Sequence, residues 1–261
     1  MTSTSTSLRD DQLDRYARQI VLKELGGEGQ RKLLSATVAV IGAGGIGAPV
    51  IQYLAAGGVG RLRVIDDDLV SLDNLQRQIL FATADVGRPK TEVAGEAAAR
   101  LNWDVTVEER RERLTAANAA SLIAGADVVI DGSDNFATRL AVSDACTAAR
   151  IPLVSAAIGQ FQIQIGTFRG WEPGRPCYRC FVGDAFDADD CDSCAELGVL
   201  GPAAGLAGSW AALEAMRQIA GFGDEAAGKL QIFDALKPAM RTLKIVKDPA
   251  CRACGEAPTS R

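Results

Sequence analysis

A strand–glycine–helix pattern near residue 40 constrains the fold of this chain more than any other feature. The segment VAVIGAGGIGAPV covers residues 38–50 and places glycines at Gly42, Gly44, Gly45 and Gly47. This is the G-x-G-x-x-G arrangement, in which a tight turn lets a helix N-terminus hold a pyrophosphate. The pattern predicts an α/β nucleotide-binding fold, and by itself it suits NAD and ATP equally.

Alternating helix and strand patterns extend along most of the chain. Predicted strands cover residues 37–41, 61–65, 105–108, 127–130 and 153–157, with helical patterns between them, which is typical of a parallel sheet covered on both faces. Later segments alternate polar and apolar residues, as antiparallel strands do, over 161–168, 229–234 and 241–246. We therefore predict a doubly wound, mostly parallel Rossmann-like α/β sheet with an antiparallel C-terminal extension.

The same patterns suggest how the chain is organised. We expect a disordered tail over residues 1–9 and a Rossmann-like nucleotide-binding domain over 10–158, beginning with an amphipathic helix over 10–25. Residues 159–261 would add antiparallel strands, an acidic crossover loop and a C-terminal part of the same domain.

Composition excludes several functional classes. The net charge of −5 argues against a broad nucleic-acid surface, and the absence of histidine removes imidazole as a base or metal ligand. The longest uncharged run, Leu197–Leu213, is shorter than the ~20 apolar residues of a membrane span, and the polar N-terminus does not resemble a signal peptide. We expect a cytoplasmic protein with no nucleic-acid or membrane partner.

Charged residues follow the glycine turn at positions that suit a nucleotide. Asp66 stands about 20 residues past the glycines, where a carboxylate can bind a ribose hydroxyl, or it is a strand-end aspartate without a ligand. Arg77 and Lys90 offer positive charge to a triphosphate and its leaving pyrophosphate, which favours ATP over NAD. Alternatively, both are solvent-exposed charges at helix ends.

A second group of carboxylates follows the predicted strand over 127–130. Asp131 and Asp134 would lie at the carboxyl end of the sheet, where a carboxylate can hold Mg²⁺ against phosphate oxygens. Asp134 or Asn135 is equally suited to cap the helix that follows.

Two C-x-x-C pairs, Cys177/Cys180 and Cys251/Cys254, are about 70 residues apart. Four thiolates satisfy tetrahedral Zn²⁺, whereas a single pair would also suit a redox site. Two pairs in a chain without histidine favour a structural zinc that ties the C-terminus to the first antiparallel hairpin.

Several motifs together resemble the ThiF/MoeB family of adenylating enzymes, which are related to ubiquitin-activating enzymes. They are GAGGIG, DDDLVSLDNLQRQ, GRPK, DGSDN and the two cysteine pairs, and the resemblance runs from about Leu13 to Gly255. Within the family, the motifs are most similar to the type that activates the molybdopterin-synthase carrier, with the thiazole-pathway type second.

The resemblance implies an enzyme that uses ATP and Mg²⁺ to adenylate the C-terminal glycine of a ubiquitin-like sulfur carrier ending in Gly-Gly. It further implies a homodimer, and sulfur supplied by a separate donor protein, because no sulfurtransferase domain follows. No general base is needed, since the attacking carboxylate, with a pKa of ~3.5, is ionised at pH 7. Two alternative functions remain: an NAD(P)-dependent oxidoreductase and a non-catalytic carrier-binding module of the same fold.

Carried over by motif, the resemblance assigns roles to individual residues. The implied catalytic residues are Asp134, Arg77, Lys90 and Arg18, the last reaching into the partner subunit's ATP site or else lying on the polar face of its helix. The implied nucleotide contacts are Gly42, Gly44, Gly45, Gly47, Asp66, Asn74, Leu75, Gln76, Arg77, Lys90, Asp134 and Asn135. Cys194 matches a loop cysteine proposed to link covalently to the carrier, whereas Cys191 has no counterpart.

Overall fold

A computed structural model describes residues 7–183 and 198–255. The helices within these ranges are α1 (Asp10–Ile20), α2 (Gly26–Ser35), α3 (Gly47–Ala56), α4 (Lys90–Leu101), α5 (Ala119–Ile123), α6 (Phe136–Ala149), α7 (Tyr178–Val182) and α8 (Gly201–Ala220). The strands are β1 (Thr37–Ile41), β2 (Arg61–Ile65), β3 (Thr106–Arg110), β4 (Val128–Asp131), β5 (Leu153–Gly159), β6 (Gln162–Phe168), β7 (Lys229–Asp234) and β8 (Ala239–Lys244). No helix in this described part has the length and apolar character needed to cross a bilayer.

The eight strands form one sheet in the order β3-β2-β1-β4-β5-β6-β7-β8. Strands β1 to β5 are parallel, whereas β6, β7 and β8 continue the sheet in antiparallel fashion. The predicted doubly wound sheet with an antiparallel extension is therefore confirmed. The chain reverses its direction of travel between β1 and β4, and this switch point is where open α/β sheets bind ligands.

Helices cover both faces of the sheet. Apolar residues of α3, α4 and α8 pack with β1, β2 and β4 in one core cluster, and those of α5, α6 and α7 pack in a second cluster on the opposite face. Strand β4 is buried along its whole length, as a central parallel strand must be. The uncharged run that ends at Leu213 contributes to α8, which is a packed helix of the first cluster.

The N-terminal region differs in detail from the prediction. Helix α1 ends at Ile20 rather than at the predicted residue 25, and Gly26, which adopts a φ of 60°, begins α2. Within the predicted tail, residues 1–6 lie outside the described residues, whereas Arg9 forms an ion pair with Asp104. The crossover loop with Cys191 and Cys194 also lies outside the described residues.

Candidate functional site

A cleft of about 370 Å³ opens at the carboxyl ends of β1, β2 and β4. The three ends are level, because Ile41 pairs with both Ile65 and Asp131. Most residues assigned to the nucleotide by motif line this cleft: Gly42, Gly44, Gly45, Asp66, Asn74, Arg77, Lys90, Asp134 and Asn135. The other three, Gly47, Leu75 and Gln76, do not line the described cleft, and neither does Arg18.

The glycine turn has strict steric requirements. Gly42 has a φ of 85°, a backbone conformation that residues other than glycine rarely adopt. A Cβ at Gly47 would lie 1.9 Å from the Gly42 carbonyl oxygen, so the two ends of the turn can approach this closely only because residue 47 is glycine. A Cβ at Gly45 would lie 3.2 Å from the Cβ of Ala204 on α8, whereas a Cβ at Gly44 would meet nothing closer than Gln78 Nε2, at 3.7 Å.

Asp66 connects the end of β2 to the glycine turn. Its Oδ2 accepts a hydrogen bond from the Ala43 backbone N–H at 2.7 Å, and its Oδ1 accepts one from the Asp68 N–H at 2.8 Å. Burial raises the pKa of this carboxyl, against the opposing effect of the nearby Lys90 ammonium. Each carboxylate oxygen keeps a further lone pair, so this arrangement leaves acceptor capacity for a ribose hydroxyl.

The two cations predicted for the phosphates differ in their surroundings. Lys90 begins α4, its side chain is only 4% exposed, and its Nζ lies 2.7 Å from Asp68 Oδ2. The alternative of a solvent-exposed charge is therefore wrong for Lys90. Arg77 is half-buried and donates through Nη1 to the Asp73 carbonyl oxygen at 3.2 Å, which leaves its positive charge without a carboxylate partner within the described residues.

The structure separates the roles of Asp134 and Asn135. Asn135 is the N-cap of α6, because its Oδ1 accepts a hydrogen bond from the Thr138 N–H at 2.9 Å. Asp134 is exposed at the cleft and is not needed as a cap. Its carboxylate is therefore available to a ligand.

Several cleft residues were missed by sequence reasoning, among them Asp68, Gln78, Arg113 and Arg139. Gln78 is 4% exposed and donates through Nε2 to Asn74 Oδ1 at 2.9 Å, so it orients that amide. Arg139 is a buried cation near the N-terminus of α6, where the helix dipole disfavours positive charge. That unfavourable placement was the one available signal for it in the sequence.

Three residues that were given roles by motif, Leu75, Gln76 and Arg18, lie outside the cleft. Leu75 packs against the first core cluster, and Gln76 is exposed, with its carbonyl oxygen 2.3 Å from where a Cβ on Gly201 would lie. Arg18 is exposed on α1. Helix α1 is held to the domain by Tyr16, whose hydroxyl accepts a hydrogen bond from Asn102 Nδ2 at 2.7 Å.

The four predicted metal ligands come together in space. The sulfur atoms of Cys177, Cys180, Cys251 and Cys254 all lie within 4.8 Å of one another. The separations are 3.9 Å for Cys177–Cys180, 3.5 Å for Cys177–Cys251 and 3.4 Å for Cys180–Cys254. Tetrahedral zinc with Zn–S bonds of about 2.3 Å places its sulfurs about 3.8 Å apart, so the donor set fits this metal.

Gly170 allows this cysteine cluster to close. A Cβ at Gly170 would lie 2.6 Å from Cys177 Cβ and 3.1 Å from Cys254 Cβ. The Asp248 backbone N–H donates to Cys180 Sγ at 3.4 Å, which is the kind of support that a ligating thiolate receives. Burial raises the pKa of the Cys177 thiol, so a bound metal would have to displace its proton.

Comparison with known proteins identifies curated relatives over nearly the whole chain. The chain is 46% identical over 250 residues to the SAMP-activating enzyme E1 of Haloferax volcanii, covering 96% of this chain and 92% of that protein. It is 44% identical over 255 residues to the sulfur carrier protein adenylyltransferase of Thermus thermophilus, covering 96% and 94%. It is 40% identical over 249 residues to the molybdopterin-synthase adenylyltransferase of Escherichia coli, covering 95% and 99%.

Solved structures and a family model agree with these relatives. The crystal structure of E. coli MccB with MccA-N7isoASN has the same fold, with a TM-score of 0.82 at 23% identity, over 93% of this chain and 75% of that one. The ThiF family model matches residues 16–253. The chain therefore belongs to the ThiF family.

Proposed function

We propose that this protein catalyses ATP-dependent adenylation of the C-terminal glycine of a ubiquitin-like sulfur carrier, releasing pyrophosphate. The observation that supports this most directly is the cleft at the switch point, which brings the glycine turn, two cations and Asp134 together in a member of the ThiF family. The curated relatives carry the names of enzymes that activate sulfur carriers or related proteins.

The residues of the cleft suit this reaction better than hydride transfer. The N–H groups of the glycine turn and the N-terminus of α3 would bind phosphate oxygens, and Asp66 would accept from the ribose. Arg77 and Lys90 would stabilise the negative charge that develops when the carrier's carboxylate attacks the α-phosphate and pyrophosphate leaves. A pyrophosphate-linked dinucleotide would not require this charge at the turn.

Mg²⁺ is the metal that the acidic residues around the cleft would hold. Asp134 offers a free carboxylate, and the exposed carboxylates of Asp67 and Asp68 line the same cleft. Such oxygens are the ligands that Mg²⁺ prefers, and the ion would neutralise charge on the triphosphate. Lys90 would hold the Asp68 carboxylate in place through their ion pair.

The cysteine cluster would bind a structural Zn²⁺. Four thiolates would fill the coordination shell, which leaves no position for a reactive water, so the metal would stabilise the C-terminal region rather than take part in catalysis. It would connect the start of α7 to residues 251–254, and so hold the antiparallel extension against the parallel sheet.

We further propose a cytoplasmic homodimer in which Arg18 reaches the partner's cleft. Arg18 is exposed on α1 and does not line the described cleft of its own chain. Large apolar side chains of α3 and α8, at Tyr53, Leu206 and Leu213, are exposed and offer contact area to a second copy. The carrier would receive its sulfur from a separate donor, with Cys194 as the candidate for a covalent link.

The decisive experiment measures exchange of labelled pyrophosphate into ATP. Carriers of the molybdopterin-synthase and thiazole types, each ending in Gly-Gly, are supplied separately, and mass spectrometry detects the acyl-AMP product. A carrier with an amidated C-terminus is the control, because it lacks the attacking carboxylate. Exchange and an AMP adduct with at least one intact carrier are expected. No adduct with either carrier would refute the proposal.

Substitution at Asp134 distinguishes an enzyme from a binding module. Asp134→Ala is expected to abolish exchange, whereas Asp224→Ala, which removes an exposed carboxylate outside the cleft, leaves it unchanged. A module that only binds the carrier would show no exchange with either variant or with the wild type. An NAD(P)-dependent oxidoreductase would instead change absorbance at the nicotinamide band without releasing pyrophosphate.

A further inference from the structure

Two buried residues of opposite charge bind the loop that follows β4. Asp131, at the end of β4, is 1% exposed, and Arg139, in α6, is 7% exposed. Within the described residues neither is seen in an ion pair, although buried charges are normally paired: the hydrogen-bond partners of Asp131 lie on Ser133, and those of Arg139 lie on Ser133, Ser155 and Ala156. Both instead bind Ser133, which lies between them in the sequence.

Asp131 directs its hydrogen bonds to Ser133. Its Oδ1 accepts from the Ser133 N–H at 3.0 Å and from the Ser133 hydroxyl at 2.6 Å. Its Oδ2 is buried and has no hydrogen-bond partner within the described residues. A buried carboxylate oxygen without a hydrogen-bond partner lowers the stability of the folded state. A neutral residue at this position would therefore give a more stable protein, unless the contact with Ser133 contributes to function.

Arg139 holds the same residue from the other side. Its Nη2 donates to the Ser133 carbonyl oxygen and to the Ala156 carbonyl oxygen, the latter at 3.0 Å, while Nη1 contacts Ser155 Oγ at 3.3 Å. The guanidinium therefore joins the loop to β5. A planar group with donors on two nitrogens can make these contacts together, whereas a lysine ammonium lacks the required geometry.

We propose that Asp131 and Arg139 are positioning residues that set the place of Asp134 at the cleft. Ser133, which they fix through its N–H, hydroxyl and carbonyl, directly precedes Asp134. Asn135, which directly follows it, is fixed as the N-cap of α6. Asp134 is exposed, so the placement of its carboxylate depends on these two neighbours. This inference rests on the proposed function for its consequence in catalysis, but the rigidity of the loop can be measured by itself.

The test uses Asp131→Asn and Arg139→Lys, which keep the approximate size of each side chain. Ser143→Ala is the matched control, because Ser143 is a buried polar residue of α6 whose hydroxyl has no partner within the described residues. Hydrogen exchange of the peptide covering residues 132–135 reports on the loop. Pyrophosphate exchange, divided into kcat and KM for ATP, reports on the chemistry, and thermal unfolding shows that each variant is folded.

Asp131→Asn and Arg139→Lys are both expected to increase amide exchange in residues 132–135. Both should also lower kcat by about 10- to 100-fold, since small misplacements of a catalytic group have effects of this size. KM for ATP should change little, because the glycine turn, Asp66 and Arg77 are untouched. A purely structural role would lower the unfolding temperature and leave kcat per folded molecule unchanged. Ser143→Ala should match the wild type in loop exchange and kcat.

Two results would overturn the proposal. One is that residues 132–135 exchange their amide hydrogens at the wild-type rate in both Asp131→Asn and Arg139→Lys. The other is that this loop exchanges faster in the variants while kcat stays at the wild-type value. If Asp131→Asn fails to fold, Arg139→Lys decides the matter by the same measurements. A wild-type protein that is inactive with every carrier would refute the proposed function. In that case the hydrogen-exchange result still decides whether the two residues hold the loop.

Discussion

Replacing Gly44 with alanine should impair ATP binding without harming the fold. Gly44 lines the cleft, and it does not adopt a left-handed backbone conformation. An added Cβ would meet only Gln78 Nε2, at 3.7 Å, which is an ordinary van der Waals distance. The methyl group would therefore occupy space in the cleft, where the phosphates must approach the backbone closely.

The expected magnitudes follow from these contacts. Alanine in place of a glycine with compatible dihedrals reduces the entropy of the unfolded chain and stabilises by about 0.4–1 kcal/mol, so the unfolding temperature should stay constant or rise by up to about 4 °C. One hydrogen bond to a charged phosphate oxygen contributes about 1.5–3 kcal/mol. Its loss should raise KM for ATP by about 10- to 100-fold.

The assay combines pyrophosphate exchange at varied ATP with thermal unfolding of the same preparations. Gly27→Ala is the control, because its Cβ would meet only Arg31 Nη1, at 3.9 Å, outside the cleft. Gly47→Ala gives the contrasting case, since a Cβ 1.9 Å from the Gly42 carbonyl should destabilise the whole domain. An unchanged KM for ATP in a folded Gly44→Ala protein would refute this account of the turn.

Substitutions at three further positions test other parts of the structure. Gly170→Ala should lower zinc content, measured by chelator release, because a Cβ 2.6 Å from Cys177 Cβ must displace a ligand by more than the ~0.2 Å that zinc geometry allows. Hydrogen bonding to Arg63 lowers the pKa of Glu108 from its ordinary value of 4.5, so this carboxylate contributes stability above that value and loses it as pH falls. Glu108→Gln should therefore reduce the free energy of unfolding by about 0.5–1 kcal/mol in urea at pH 7, and the difference from wild type should shrink in acid. Asn135→Ala should cost about 1 kcal/mol through loss of the α6 cap, whereas Asn135→Asp should retain most of it.

The parallel half of the sheet could be predicted from the sequence because its signals are local. Strands β1 and β2 match their predicted bounds. β1 is a short, mainly apolar run that ends at Gly42, and β2 alternates arginine with apolar residues before Val64 and Ile65, between Gly60 and Asp66. The glycine turn could be predicted equally well, because its tightest contact, between Gly47 and the Gly42 carbonyl oxygen, joins residues only five positions apart. The grouping of the four cysteines was also predicted, from their spacing and from the absence of histidine.

Other features depend on residues that only the strand order brings together. The sequence could not show that Asp68 neutralises Lys90, that Asn135 rather than Asp134 caps α6, or that Gly170 makes room for the cysteines. It also did not reveal that Arg139 connects the β4–α6 loop to β5. Patterns along the chain thus determined the elements and the types of chemical group available. The tertiary structure decided which groups are paired, buried or free, because burial and pairing depend on neighbours that are distant in sequence.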